Sequence, residues 1–200
     1  MTTFPGNASG TNWGSTAFDP ASQSLILNTT RLATIVQLVP RDAYEGARQD
    51  AIARELDIEF GAQRGAPYGM KRQTLLSSAG LPCNPPPWGT LAAVDLATGA
   101  VRWERPLGNL FGVDGIPNAG GPVATAGGLI FIGATMDNRF RAFDIETGAE
   151  LWSAELPVSA VATPMTYRGA DGRQYVVTVA GGHGKIGIPL GDYVFAYRLP

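Results

Sequence analysis

A short pattern that occurs twice in the chain is the feature that most constrains its fold. Residues 91–103 read Leu-Ala-Ala-Val-Asp-Leu-Ala-Thr-Gly-Ala-Val-Arg-Trp, and residues 140–152 read Phe-Arg-Ala-Phe-Asp-Ile-Glu-Thr-Gly-Ala-Glu-Leu-Trp. Ala, Asp, Thr-Gly and Trp recur at identical offsets, and the copies lie about fifty residues apart, the period of a four-stranded propeller blade. The repeat therefore predicts an all-β chain built from blades of a β-propeller.

Each position of the repeat has a structural task. The residues before Asp alternate as in a strand, Asp-x-x-Thr-Gly forms a turn in which Asp accepts hydrogen bonds from backbone amides, and Trp lies on the returning strand. The indole is large enough to fill the gap between neighbouring sheets. We therefore interpret Asp95 and Asp144 as turn residues and not as catalytic groups. Two unrelated hairpins are the alternative, but hairpins need neither the Ala nor the Trp.

Composition narrows the class of protein further. Of the 200 residues, 44% are hydrophobic and only 16% are charged, with a formal net charge of −2, which excludes a disordered or nucleic-acid-binding tail. No run of apolar residues approaches the length that spans a bilayer, and the N-terminus lacks the pattern of a signal peptide. The single cysteine, Cys83, excludes an internal disulfide. No other Cys or His lies at metal-ligand spacing from it, so we do not predict a metal role for Cys83.

Further strands are predicted on both sides of the repeat. A blade is expected to begin at 127 with strands at 129–134, 140–144, 151–155 and 175–180, with 160–167 a further candidate and 193–197 in a neighbouring blade. Earlier strands are expected at 24–28 and 35–39. Between 41 and 64, charged residues and alanine crowd together with apolar residues at helical spacing, which predicts a surface insertion containing a short amphipathic helix.

Three segments resemble one family, the dehydrogenases that use pyrroloquinoline quinone (PQQ). Residues 4–20, which contain Gly-Thr-Asn-Trp-Gly followed by Asp-Pro, resemble the Gly-x-Asn-Trp segment of that family. The two Asp-x-x-Thr-Gly-x-x-x-Trp units resemble its tryptophan-docking repeats. Residues 162–197, with Ala-Gly-Gly-His-Gly at their centre, resemble the C-terminus of the membrane-bound glucose and quinate dehydrogenase branch. Leu-Pro-Cys and Pro-Trp-Gly at 81–89 also fit that branch.

The resemblance implies a fold and an activity. Members are several times longer and form eight-bladed propellers with PQQ near the axis, so residues 1–200 would be the C-terminal part, about three to four blades. The family oxidises a sugar or polyol by hydride transfer to PQQ, with an associated Ca²⁺ or Mg²⁺, and passes electrons to ubiquinone at the periplasmic face of the bacterial inner membrane. The catalytic base and the metal ligands are expected in upstream blades. The partners of this chain would then be those remaining blades, or a complementary chain that supplies them.

The candidate site residues follow from the resemblance together with their chemistry. Asn12 is expected to contact the cofactor, because an amide both donates and accepts, and Trp13 offers a flat surface to the planar ring system. His183, the only histidine, follows a strand within glycines that permit close approach, and is expected to position substrate as well as contact the cofactor. Gly182 would shape this pocket.

Asn28, at a strand end, is expected near the quinone, and Asp137 is expected at the rim beside the substrate. For Asn12 and Asp137 a turn role is the alternative, for His183 it is an ordinary loop role, and for Trp13 it is packing in the core. At the level of the whole chain, the alternative is a non-catalytic β-propeller scaffold that binds a protein partner. Such a scaffold has no reason to carry Asn12 or the Gly-Gly-His-Gly sequence.

Overall fold

The computed structural model describes residues 1–11, 13–184 and 187–198. Among these residues the regular elements are strands apart from one helix, α1 (Arg41–Ala53). In chain order the strands are β1 (Thr2–Thr3), β2 (Ala17–Asp19), β3 (Ser24–Thr30), β4 (Thr34–Pro40), β5 (Glu59–Gly61), β6 (Tyr68–Thr74), β7 (Gly89–Asp95), β8 (Val101–Pro106), β9 (Asn109–Leu110), β10 (Val113–Asp114), β11 (Val123–Ala124), β12 (Leu129–Ile132), β13 (Arg139–Asp144), β14 (Glu150–Glu155), β15 (Met165–Arg168), β16 (Gln174–Ala180) and β17 (Tyr193–Arg198). The chain divides into a small unit, Met1–Ala8 with Arg31–Pro85, and a large unit, Ser9–Thr30 with Pro86–Pro200.

The small unit consists of one antiparallel sheet and α1. The strand order is β1-β4-β6-β5, and α1 buries Tyr44 and Ala51. Tyr44 lies so close to Gly69 on β6 that a Cβ at that position would overlap its ring, which fixes a glycine there. The strand predicted at 35–39 is confirmed as β4, and the helix predicted between 41 and 64 is confirmed as α1. The same stretch also contributes β5.

The large unit contains three antiparallel sheets and the hairpin β9-β10. Sheet 1 has the order β2-β3-β7-β8, sheet 2 has the order β11-β12-β13-β14, and sheet 3 has the order β15-β16-β17. Within each sheet the strands are adjacent in the order in which the chain forms them, the meander typical of a propeller blade. The prediction of an all-β chain with four-stranded antiparallel blades is confirmed.

The predicted composition of the blade that starts at 127 is wrong in one strand. Residues 174–180 do not complete that blade, because β16 pairs with β15 and β17, with Val177 opposite both Met165 and Ala196. The fourth strand of sheet 2 is instead the two-residue β11, which precedes the pair of glycines at 127–128 and is too short to produce an alternating pattern. Asn28 was expected at a strand end, but β3 continues to Thr30.

Two apolar clusters join the three sheets. One lies between sheets 1 and 2 and consists mainly of Ile26, Leu91, Ala93, Trp103, Ile130, Ile132, Phe143 and Ile145. The other lies between sheets 2 and 3 and contains Phe140, Leu156, Val158, Ala160, Val176 and Ala180, with Phe195 and Tyr197 packed against it. Because consecutive sheets share a core, each sheet fixes the position of the next.

The repeat motif stabilises the first of these junctions. The Nε1 of Trp103, from the first copy, donates to the carbonyl of Ile145 in the second copy at 3.0 Å, and Trp103 is buried. Gly148, with φ +68°, lies beneath the indole, because a Cβ there would be 2.5 Å from Trp103 Cε3. The predicted role of the tryptophan, filling the gap between sheets, is confirmed for Trp103.

The aspartates of the motif form the predicted turns. Asp144 Oδ1 accepts hydrogen bonds from the amides of Glu146 and Thr147 at 3.1 and 2.8 Å. Asp95 Oδ1 accepts from the amides of Ala97 and Thr98 at 2.9 and 3.0 Å. The hydrogen bond from the Thr147 hydroxyl, followed by those from the amides, holds the pKa of Asp144 below its usual range. The carboxylates are thus structural, as the sequence predicts.

Candidate functional site

The candidate site is built on three backbone stretches, each of which leads into the first strand of a sheet. We call them lead segments: residues 13–16 before β2, 118–122 before β11 and 159–164 before β15. They all belong to the large unit. Because equivalent positions of three successive sheets converge here, side chains distant in the sequence become neighbours.

Glycines allow the lead segments to contact one another through their backbones. A Cβ on Gly14 would overlap the carbonyl of Gly120, and a Cβ on Gly121 would overlap the carbonyl of Gly14. Gly120, with φ +103°, faces the carbonyl of Val161 in the third segment. No residue with a side chain can take these positions without moving the backbone, so glycine is required for this packing.

Two hydrogen bonds join the loops that carry Trp13 and His183 to the third lead segment. Thr163 Oγ1 donates to the carbonyl of Gly14 at 3.0 Å, which ties down the loop that carries Trp13. The amide of Gly182 donates to the carbonyl of Ser159 at 3.0 Å, which ties down the loop that follows β16 and carries His183. The third lead segment therefore supports both of the aromatic residues predicted at the site.

Trp13 and His183 lie side by side. Their ring centroids are 6.4 Å apart, and the ring planes are inclined by 35°. Trp13 is 60% exposed, which leaves much of its indole accessible to a ligand, whereas His183 is half-buried. The Nδ1 of His183 is shielded from solvent and has no hydrogen-bond partner among the described residues. A buried ring nitrogen without a partner is costly, and a ligand that supplies the partner removes that cost.

Gly182 shapes the loop beside this pair. Its φ is +65°, and a Cβ would overlap the carbonyl of Pro189, so a larger residue would displace the turn that presents His183. His183 and Ile188 form an isolated β-bridge that closes the turn. Asn12, the first of the predicted cofactor contacts, lies outside the described residues.

Asn28 lies in a buried polar network that extends from β3 to the second lead segment. Its Nδ2 donates to Asn118 Oδ1 at 2.6 Å and to the carbonyl of Gly120 at 3.2 Å. Asn118 Nδ2 donates in turn to the carbonyl of Thr29, and the Thr30 hydroxyl donates to the Asn118 carbonyl. Asn28 is 1% exposed, and its Oδ1 has no hydrogen-bond partner within the described part of the chain. Gly120, to which Asn28 donates, is also in backbone contact with Gly14, the residue after Trp13.

Asp137 occupies a different place, in a buried ion pair with Arg141. Arg141 donates through both terminal nitrogens, and Asp137 also accepts from the Thr135 hydroxyl at 2.6 Å and from the amide of Asn109 at 2.9 Å. Burial raises the pKa of this carboxyl, but hydrogen bonds from Arg141, Thr135 and Asn109 outweigh it, and the net pKa is lowered. These contacts give Asp137 a structural role, because its carboxylate joins Arg141, Thr135 and Asn109. Substrate positioning by Asp137 stays a prediction.

Sequence reasoning missed Asn118, Ser159 and Thr163, which hold the lead segments together. A signal for Asn118 does exist, because Asn118-Ala-Gly precedes β11 at the same spacing at which Asn12-Trp-Gly precedes β2. Ser159 and Thr163 lie in a stretch without any such pattern. Their partners are up to 149 residues away in sequence, so only the fold reveals them.

Comparison with known proteins agrees with this architecture. The family described as "PQQ: Glucose/ethanol/alcohol dehydrogenase, beta-propeller domain" matches residues 1–176. Quinoprotein glucose dehydrogenase A of Acinetobacter calcoaceticus is 40% identical over 208 residues, which cover 98% of this chain and 26% of that protein. The quinate/shikimate dehydrogenase (quinone) of Acinetobacter baylyi is 40% identical over 211 residues with the same coverage. A solved structure of the quinohemoprotein alcohol dehydrogenase ADHIIG of Pseudomonas putida HK5 superimposes with a TM-score of 0.66 at 21% identity, over 100% of this chain and 28% of that one.

The repeated blades, the glycine-lined lead segments and these matches define the class as a quinoprotein β-propeller. The chain belongs to the family of PQQ-dependent dehydrogenases, to which the sequence motifs pointed. It spans about a quarter of the length of the curated relatives that it matches. Over the described ranges, no helix is long and apolar enough to cross a bilayer.

Proposed function

We propose that this chain supplies one wall of the cofactor and substrate pocket of a PQQ-dependent dehydrogenase that oxidises a sugar or polyol of the glucose or quinate type. Residues 1–200 are then the C-terminal part of its propeller domain, with 41–64 an insertion, and the remaining blades carry the catalytic base and the ligands of Ca²⁺ or Mg²⁺. The names of the relatives, glucose dehydrogenase and quinate/shikimate dehydrogenase (quinone), support this substrate class and a quinone such as ubiquinone as the electron acceptor. Such an enzyme acts at the periplasmic face of the inner membrane.

The observation that carries the proposal is the Trp13–His183 pair. PQQ is a planar, anionic tricycle, so it needs flat apolar surface against its ring and hydrogen-bonding groups at its edge. The exposed indole of Trp13 offers the surface, and the Nδ1 of His183, which has no partner within the described ranges, offers the hydrogen-bonding group. The residues present therefore fit the cofactor.

Each residue has a distinct task in this proposal. Trp13 covers one part of the ring face and excludes water from it. His183 holds an oxygen of the cofactor or substrate through Nδ1 and so orients the alcohol, with no proton removed by this chain. Asn12 and Asn28, whose Oδ1 has no partner among the described residues, supply further polar contacts, and Gly182 maintains the turn that presents His183. When bound, PQQ supplies the quinone that accepts the hydride.

The decisive experiment is a titration with PQQ and Ca²⁺ of the chain assembled with the polypeptide that supplies the remaining blades, compared with the chain alone. We expect binding and dye-linked sugar oxidation only in the assembly. In the assembly, Trp13→Leu should weaken PQQ binding about tenfold, in line with the loss of an aromatic stacking surface. Trp152→Leu is the matched control, because Trp152 is also partly exposed but packs on Tyr197 at 5.1 Å.

The outcomes separate the two functions under consideration. Full dehydrogenase activity of the chain alone would contradict its role as one wall of the pocket. Failure of the assembly to bind PQQ would contradict the proposed function and favour a scaffold that binds a protein partner. Equal weakening by Trp13→Leu and Trp152→Leu would contradict the assignment of the cofactor surface to Trp13.

A further inference from the structure

The third lead segment holds both aromatic residues of the proposed pocket by one hydrogen bond each. At its start, the Ser159 carbonyl accepts from Gly182, the residue before His183, at 3.0 Å. Near its end, the Thr163 hydroxyl donates to Gly14, the residue after Trp13, at 3.0 Å. The distance between the two rings therefore depends on this segment, although neither ring is part of it.

The two ends of this connection are held by different contacts. Ser159 is fully buried, and its hydroxyl donates to Asn138 Oδ1 at 2.6 Å, so the end next to His183 is anchored to sheet 2. At the other end, the Thr163 hydroxyl donates to the Gly14 carbonyl, and Gly14 also lies in backbone contact with Gly121 of the second lead segment. The bond joins residues 149 positions apart in the sequence, so it depends on the fold and not on local structure.

We propose that Thr163 is a positioning residue that sets the spacing between Trp13 and His183 and thereby the width of the cofactor pocket. The identity of the ligand rests on the proposed function, whereas the spacing is a property of the chain itself. Without the hydroxyl, the Gly14 carbonyl loses its donor, and the loop that carries Trp13 moves relative to His183. Thr163 contacts neither cofactor nor substrate in this proposal and acts only through Trp13.

The single histidine of the chain makes the spacing measurable without any ligand. Selective labelling of the histidine ring yields one Hε1–Cε1 NMR signal, whose position reports the ring current of Trp13. Trp13→Leu defines the position of that signal without the neighbouring indole. We expect Thr163→Val, which removes the hydroxyl but keeps a β-branched side chain, to move the signal most of the way toward that position.

Two variants serve as controls. Thr163→Ser keeps the hydroxyl and should leave the signal at its original place. Thr125→Val removes a comparable threonine-to-carbonyl bond, from Thr125 Oγ1 to Leu129 O at 3.1 Å, in the hairpin between β11 and β12, and should also leave the signal in place. If Thr163→Val does not fold, Thr163→Ala removes the same hydroxyl with less bulk and is measured instead.

The proposal is overturned if the folded valine or alanine variant keeps the original histidine signal. It is also overturned if serine fails to preserve the signal, or if valine and alanine both unfold, since Thr163 would then serve the fold and not the spacing. In the assembled protein, Thr163→Val should weaken PQQ binding about tenfold, with Thr163→Ser close to the wild type. A moved signal without any PQQ binding by the wild-type assembly would leave the positioning role intact and refute only the proposed function.

Discussion

Trp103 and Trp152 hold the same position in the repeat but have different surroundings, which allows a stringent test of the blade architecture. Trp103 is 7% exposed, donates to Ile145 O at 3.0 Å and covers Gly148. Trp152 is 39% exposed and packs edge-on against Tyr197 and Phe140, with centroid distances of 5.1 and 6.2 Å. The second indole lies against Tyr197 on β17 of sheet 3, whereas the first lies against the turn of the second repeat copy.

Replacing each tryptophan by phenylalanine should therefore have unequal effects on the free energy of unfolding. Trp103→Phe leaves the buried Ile145 carbonyl without its donor, which costs about 1–3 kcal/mol, and the cavity left by the smaller ring adds about 1 kcal/mol. Trp152→Phe removes partly exposed surface and should cost about 1 kcal/mol or less. Trp103→Phe should thus lower the free energy of unfolding by about 2 kcal/mol more than Trp152→Phe does.

Urea unfolding of the two variants, followed by far-ultraviolet circular dichroism, measures this difference directly. With a slope near 2 kcal/mol per molar urea, the two midpoints should differ by about 1 M. The paired design controls for the chemistry of the substitution, because the same side chain is exchanged at equivalent positions of one motif. Equal midpoints would refute the inference that Trp103 joins sheets 1 and 2 through the turn of the next blade.

Two further predictions concern the large unit. Asp137→Asn removes the charge that is paired with buried Arg141 and should lower the free energy of unfolding by about 3–5 kcal/mol, measured by urea titration at neutral pH. The pKa of Asp137 is lowered in the folded state. Its contribution to stability is therefore complete above the pKa of the unfolded state and is lost as the pH falls through the pKa of the folded state. The wild type should thus lose stability on acidification more steeply than the variant. Gly121→Ala places a Cβ against the Gly14 carbonyl and should lower the melting temperature and displace the histidine NMR signal.

Each of these predictions has a control within the chain. For Asp137→Asn, the matched change is Asp95→Asn, which alters a carboxylate paired with the more exposed Arg102 and should lower the free energy of unfolding much less than Asp137→Asn does. An equal loss of stability in the two variants would contradict the interpretation of Asp137 as a buried, paired carboxylate. For Gly121→Ala, the control is Gly127→Ala, where a Cβ meets little beyond Thr125 Oγ1 at 4.0 Å. A folded Gly121→Ala variant with unchanged stability and signal would contradict the close approach of the lead segments.

The sequence determined the blades and the family, because both depend on patterns that repeat or recur locally. The offsets from Asp to Trp specify a turn and a returning strand, and Asp95 and Asp144 form those turns as predicted. Strand assignment failed where the element was too short to show a period, as for β11, and residues 174–180 were consequently placed in the wrong sheet. The neighbourhood of Trp13 and His183 was anticipated only through family resemblance.

Tertiary structure alone decided how the pocket wall is held together. Asn28 and Asn118 meet across 90 residues, and Thr163 reaches Gly14 across 149, distances over which no local pattern operates. The tertiary structure also buried Trp103 and left Trp152 partly exposed, although the two occupy the same position in the repeat. It placed Asp137 in a buried ion pair, although its sequence context is that of a turn residue. The physical reason is that turns and strands follow from the conformational preferences of neighbouring residues, whereas burial and hydrogen-bond partners follow from which sheets the fold stacks together.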